Sequence, residues 1–249
     1  MTAFLPDVPA DLIRAFLERS PGNEIKTGKF DSPESSSALV ANAFGWFLER
    51  PGKLPALPGL SGWPARRVTL EAEMRFPWAG GRHPWLDVGI ETAGQIIGIE
   101  SKRYEPFRPA KVNSFSDAYD RPVWGERMVR YTSLRKTHAN GAQRFDVLDA
   151  VQLVKHAYGL RTQAQKAGKT AVLVYLYAEP PTWANGRAVD PVRLAEHRAD
   201  IARFGQAVAG DEVQFMALRW SDLLANWAEG PAALASHSAR IEARFGPLG

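Results

Sequence analysis

Along residues 6–19, Leu12, Ile13, Phe16 and Leu17 recur at helical spacing and predict a short amphipathic helix. A second helix is expected from Ser32-Pro33, with Ser at the N-cap and Pro in the first turn. Leu39, Val40, Ala43, Phe44, Phe47 and Leu48 keep its period until Pro51-Gly52 stops it. Residues 51–65 hold four prolines and three glycines and read as a loop. Three strand-like runs follow at 67–76, 85–92 and 95–103, divided by Gly80-Gly81 and Ala93-Gly94. Residues 104–144 mix aromatics and charges with little period, and a helix is expected near 123–136. A longer helix is expected over 146–167, closed by Gly168. The run 171–178, AVLVYLYA, is apolar throughout, as a strand covered on both faces would be. Asp190-Pro191 opens another helix, 213–220 reads as a strand, and Ser221 is expected to cap a short helix. The order through the middle is helix, three strands, helix, strand. That order predicts an α/β fold, a mixed central sheet flanked by helices. One domain over 1–249 is expected, with its core at about 33–178 and a C-terminal α/β extension at about 190–249.

Composition narrows the function. Hydrophobic residues make up 45% and charged residues 23%, a globular balance, and no segment approaches the roughly 18 apolar residues of a membrane span. The first residues carry no basic stretch followed by an apolar block, so a cytoplasmic protein without a membrane partner is expected. The absence of cysteine excludes disulfides, thiol catalysis and cysteine-held zinc. Oxygen ligands and five histidines remain for a metal, which favours a hard cation such as Mg2+, or Mn2+. The net charge is +4, yet residues 102–136 alone hold nine Lys or Arg against four acids, a local +5. Such a strip can face phosphates or can be an ordinary solvated surface.

The strands carry the candidate chemistry. With Ala93-Gly94 as a two-residue hairpin loop, Thr92 faces Gln95 and Asp87 falls opposite Glu100. Opposed side chains have Cβ atoms about 5 Å apart, so two carboxylates there repel unless a cation lies between them. Alternation sends Glu100 and Lys102 to one face and Leu86, Val88 and Ile90 to the other. Gly89 and Gly98 share the first face, where missing side chains would leave room for metal, water or a close backbone. Two carboxylates and a lysine suit metal-assisted hydrolysis of a phosphodiester, the lysine orienting or deprotonating water. The alternative is a surface ion pair of Glu100 or Glu91 with Lys102 or an arginine, worth about 0–1 kcal/mol.

His83-Pro84-Trp85-Leu86-Asp87 followed by Ile99-Glu100-Ser101-Lys102 resembles the active-site hairpin of the PD-(D/E)XK, or restriction-endonuclease-like, nucleases. The element order over 33–178 agrees with that family's αβββαβ core, here with an N-terminal helix and a 104–147 insertion. The resemblance implies that Asp87 and Glu100 ligate metal, that the Ser101 carbonyl adds a ligand and that Lys102 serves catalysis. Pro84 lies three residues before Asp87 instead of next to it. Members commonly add an acid from the first helix; Glu34 is the candidate, with Glu73 and Glu49 as rivals, and helix-dipole complementarity is the alternative role for Glu34. Gln152, Lys155 and His156 share one helix face and resemble the Gln-x-x-x-Tyr motif of RecB-like nucleases, with His156 in place of Tyr. The resemblance puts Gln152 and Lys155 beside a phosphate or metal-bound water; a solvated helix face is the alternative. Tyr119–Gly125 combines aromatics with cations, a pattern for holding an unstacked strand or for packing a loop. Arg121, Arg127 and Arg130 are the candidate phosphate contacts.

The expectation is therefore a Mg-dependent nuclease acting on nucleic acid, DNA before RNA, with a non-catalytic nucleic-acid-binding or scaffold protein of the same fold as its rival. A hydrolase of small phosphorylated substrates lacks support, because neither a Gly-rich phosphate loop nor a Ser elbow occurs.

Overall fold

The computed structural model describes residues 4–109 and 113–249; Lys111, counted in the basic strip, lies outside them. A five-stranded sheet runs in the order β1 (Arg67–Glu73), β2 (Trp85–Glu91), β3 (Gln95–Lys102), β4 (Thr170–Tyr177), β5 (Val213–Arg219). β1, β2 and β3 are joined antiparallel, while β3, β4 and β5 run parallel. The parallel steps need crossovers, supplied by α4 (Ala150–Lys166) and α5 (Pro191–Val208). The mixed sheet and the helix, three strands, helix, strand order are as the hydrophobic pattern implies.

Two apolar cores cover the two faces. One joins α1 (Ala10–Arg19) and α2 (Ser36–Gly45) to α6 (Trp220–Ala228) and α7 (Ala232–Phe245), through Ile13, Phe44, Trp220, Trp227 and Ile241. The other joins α3 (Val129–Ala139), α4 and α5 through Tyr131, Tyr158, Leu160 and Phe204. α2 is buried from Ala38 to Gly45, so its central place in the first core rests on packing around its whole circumference.

Several element starts differ from the sequence expectation, each for a local reason. α2 starts at Ser36, because Ser32 to Ser35 close a turn and the Ser35 hydroxyl accepts the Ala38 N–H at 3.0 Å. Glu34 therefore precedes the helix instead of standing in its first turn. α4 starts at Ala150, not 146, because the N–H groups of Asp146, Val147 and Leu148 all turn to the Asp200 carboxylate of α5. Asp149 then caps the helix by accepting the Gln152 N–H at 2.8 Å. α3 starts six residues later than expected, and its first amides, from Arg130 and Tyr131, go to Asp211 at 2.8 and 2.9 Å. α6 begins at Trp220 directly after β5, without a Ser221 cap, and α7 was not expected at all. α1 begins at Ala10, four residues inside its expected span, and β1 ends at Glu73, short of Phe76.

The Ala93-Gly94 hairpin holds, with the Thr92 N–H donating to Gln95 O at 3.0 Å and Val88 paired with Ile99. Strict alternation along β2 does not hold. Val88 and Ile90 enter the first core, but Leu86 enters the second, beside Met74 and Leu160. The same switch occurs on β1, where Val68 and Leu70 enter the first core and Ala72 packs against the second. Between them sits Glu71, whose φ of +48° lies in the left-handed region that a non-glycine residue seldom adopts. The ladder pairs on each side of Glu71 and Asp87 keep one register, so the irregularity is local to that pair.

Candidate active site

The hairpin register, continued one residue past Val88 and Ile99, puts Asp87 across from Glu100. There the ladder gives way to a side-chain bond: Asp87 Oδ2 accepts the Ser101 backbone N–H at 2.6 Å. Lys102 Nζ donates to Glu100 Oε1, and the ion pair is largely buried, with 18% and 3% of the two side chains exposed. The sequence alternative of a surface ion pair therefore does not describe Glu100. Glu91 does form such a pair, with Lys169 at 2.7 Å and Arg67 at 2.8 Å.

Burial and crowding of like charge govern the electrostatics. Burial first, and the Glu100 carboxylate second, push Asp87 up to about 8. Glu71 is pushed up to about 8 by burial and by Asp87. Burial raises Glu100 as well, against the pull of Lys102. Burial alone would lower Lys102, but Glu100, Asp87 and Glu105 outweigh it and hold the ammonium charged. Glu105 is the exception among these acids. Burial works against its charge, yet Lys102, the Ser36 hydroxyl and the Arg103 N–H at 2.8 Å hold it below the ordinary carboxylate range. Three carboxylates, those of Glu100, Asp87 and Glu105, thus act on one ammonium, an arrangement short of positive charge.

Ser101 is anchored on both sides, its N–H on Asp87 and its hydroxyl accepting from Trp220 Nε1 at 3.1 Å. The glycines do not leave open space. A side chain at Gly89 would meet Ala72 Cβ at 2.9 Å, and the room at Gly98 is filled by Leu86 and Leu160, the consequence of Leu86 crossing to this face. A cavity of about 10 Å3 instead lies between Glu71, Asp87 and Ser37, about the space of one water-sized sphere. A groove of about 390 Å3 follows the free edge of β1 and reaches Glu71 and Trp85 without being lined by Asp87, Glu100 or Lys102.

α4 contributes differently from the expected polar face. His156 is buried, with Nδ1 3.3 Å from Glu100 Oε2, and burial together with Lys102 pushes its pKa down to about 3, so the ring is neutral. Lys155 points the other way, donating to Ser114 O at 2.9 Å and lying 5.4 Å from the Tyr119 ring. Gln152 is half-buried on the first turn, its N–H held by Asp149. Glu34 stands apart from the cluster, pairing with Arg108 at 2.8 Å and accepting the Ala184 N–H at 3.2 Å. Glu73 is exposed and 3.7 Å from Arg75. Glu49 is exposed too. His83 Nδ1 accepts the Phe76 N–H at 3.1 Å and ties down the β1–β2 loop.

The insertion is packed by aromatics. Trp124 stacks on Tyr158 at 4.1 Å, Tyr119 follows, and Arg121 lies 4.6 Å from the Trp78 ring centre. Arg121, Arg127 and Arg130 are exposed and form no ion pair among the described residues; the nearby Asp120 pairs with Arg135.

Sequence reasoning missed Glu71, Glu105 and the burial of His156. Glu105, three residues past Lys102, could have been suspected from its proximity. Thr69, Glu71 and Glu73 read as the solvent side of a strand, and only the reversal at Glu71 turns that residue inward.

For a metal, the donors at hand are the Asp87 and Glu100 carboxylates. Among the described residues no group of three or more His, Cys, Asp or Glu side chains is disposed to hold one. The set fits a hard cation that takes two carboxylates and completes its shell with backbone oxygen and water, as Mg2+ does. A family model described as Restriction Endonuclease associating with ARP matches residues 2–246. No curated protein and no solved structure matches the chain.

Proposed function

Since this chain belongs to that restriction-endonuclease family, we propose that it is a divalent-metal-dependent nuclease of the PD-(D/E)XK type, hydrolysing DNA with residues 1–249 acting as one domain. The observation that carries the reading is the buried Lys102–Glu100 pair beside Asp87, because a surface ion pair would need neither the burial nor the second carboxylate. Asp87 and Glu100 hold Mg2+ or Mn2+, and the Ser101 carbonyl adds a ligand. A bound cation polarises the phosphodiester and lowers the pKa of water. Lys102, kept charged by the surrounding carboxylates, then orients the attacking water or steadies the phosphate charge. Gln152, half-buried on the first turn of α4, is the further candidate for a contact to the phosphate or to water. Arg121, Arg127 and Arg130, exposed and without acidic partners among the described residues, supply phosphate contacts along the backbone. The association with ARP named in the family's description is carried over to this chain as a partner.

The test is cleavage of single-stranded, duplex and circular DNA and of RNA with Mg2+, Mn2+ or a chelator. Metal-dependent cleavage of DNA, lost in Asp87→Ala, is expected. Binding of nucleic acid without cleavage under either metal would replace this reading with the scaffold one.

A further inference from the structure

We infer that His156 is a positioning residue for Glu100: its Nδ1–H donates to Glu100 Oε2 and thereby presents Oε1 to the cation. The inference rests on the metal-site reading above. His156 Nδ1 lies 3.3 Å from Glu100 Oε2, and the two side chains are only 4% and 3% exposed. Nδ1 has no hydrogen-bond partner among the described residues, while Lys102 holds the other carboxylate oxygen of Glu100. A buried polar nitrogen left unpaired is costly, so the site as it stands is one small carboxylate rotation from a better arrangement.

That rotation is available when a divalent ion takes Oε1. Lys102 is then displaced from Glu100, and Asp87 and Glu105 remain to act on its ammonium. The imidazole cannot follow a moving partner. It is carried by the middle of α4, where Leu153, Val154, Ala157 and Tyr158 are all buried. A fixed donor beside a mobile carboxylate selects one carboxylate orientation. Hydrogen bonds that orient metal-ligating groups are commonly worth about 10- to 100-fold in metal affinity.

The experiment is calorimetric titration of Mg2+ and Mn2+ into the wild type, His156→Phe, His156→Asn and His156→Ala, with melting curves on each. His156→Phe keeps a ring in the pocket without a donor and should weaken metal binding about 10- to 100-fold. His156→Asn offers an N–H near the position of Nδ1 and should recover most of that loss, which a purely structural role of the ring would not produce. If the Phe variant does not fold, the Ala variant provides the same contrast with Asn. Equal affinity in the wild type and the donor-less variants overturns the inference, as does equal loss in Phe and Asn. Pulsed electron paramagnetic resonance of bound Mn2+ should show no coordinated nitrogen; a nitrogen coupling would make His156 a ligand and overturn the positioning role. A wild type that binds neither ion overturns the metal-site reading and this inference together, so the two failures are told apart.

Discussion

Replacing Asp87 by Asn should stabilise the metal-free protein near neutral pH while removing its response to metal. The carboxyl titrates at 3.8 in ordinary surroundings and at about 8 in the fold, raised by burial and by Glu100. Between those pH values the unfolded chain has released a proton that the native chain keeps, so native stability falls as pH rises. The slope is about 1.4 kcal/mol per pH unit for one proton, starting near pH 4 and ending near pH 8. Glu71, raised in the same direction by burial first and by Asp87 second, adds to the slope. Asn keeps a carbonyl oxygen to accept the Ser101 N–H now bonded at 2.6 Å, so the backbone contact survives. From about pH 5 to about pH 7 the wild type should therefore lose about 3 kcal/mol relative to Asp87→Asn. Urea unfolding at several pH values with a chelator present measures this difference. Saturating Mg2+ should reverse the ranking, because the ion binds the ionised carboxylate that only the wild type has. Parallel pH dependences in the two proteins would refute the argument, since Asp87 would then not be the group that keeps its proton.

Three further outcomes follow from the same geometry. Lys102→Ala should abolish cleavage while largely preserving metal binding, whereas Asp87→Ala should weaken both; calorimetry beside a cleavage assay separates them, and equal loss of metal affinity would contradict the roles. Replacing Arg121, Arg127 and Arg130 should weaken nucleic-acid binding across unrelated sequences and flatten its salt dependence by about one unit of slope per lost contact, measured by titration from low to high salt; unchanged slopes with depressed melting would make them structural. Gly159→Ala should cost about 1–3 kcal/mol in urea unfolding, because its Cβ would meet Met74 O at 2.5 Å and Pro84 Cγ at 2.8 Å, where α4 crosses the end of β1; no loss would mean that this crossing can give way.

The sequence by itself determined the element order from α1 to α6, the hairpin and the close company of Asp87, Glu100 and Lys102. These follow from short-range rules: the period of apolar residues, the two-residue loop, and alternation over the few residues from Ile96 to Lys102. The face of Leu86 was beyond such rules, since alternation counted back from Val88 fails where Glu71 takes a left-handed conformation on the neighbouring strand. Starts of α3 and α4 were equally hidden, because Asp211 and Asp200, far along the chain, draw off the amides that local capping rules assign elsewhere. The burial of His156 also came from packing. Its position on α4 reads as part of a polar face with Gln152 and Lys155, and only the sheet lying against that helix turns it to Glu100. Local pattern depends on neighbours a few residues away and can be read from the chain. Charge, burial and donor geometry at a site depend on residues distant in sequence, and those were decided only when the sheet and its two helical layers came together.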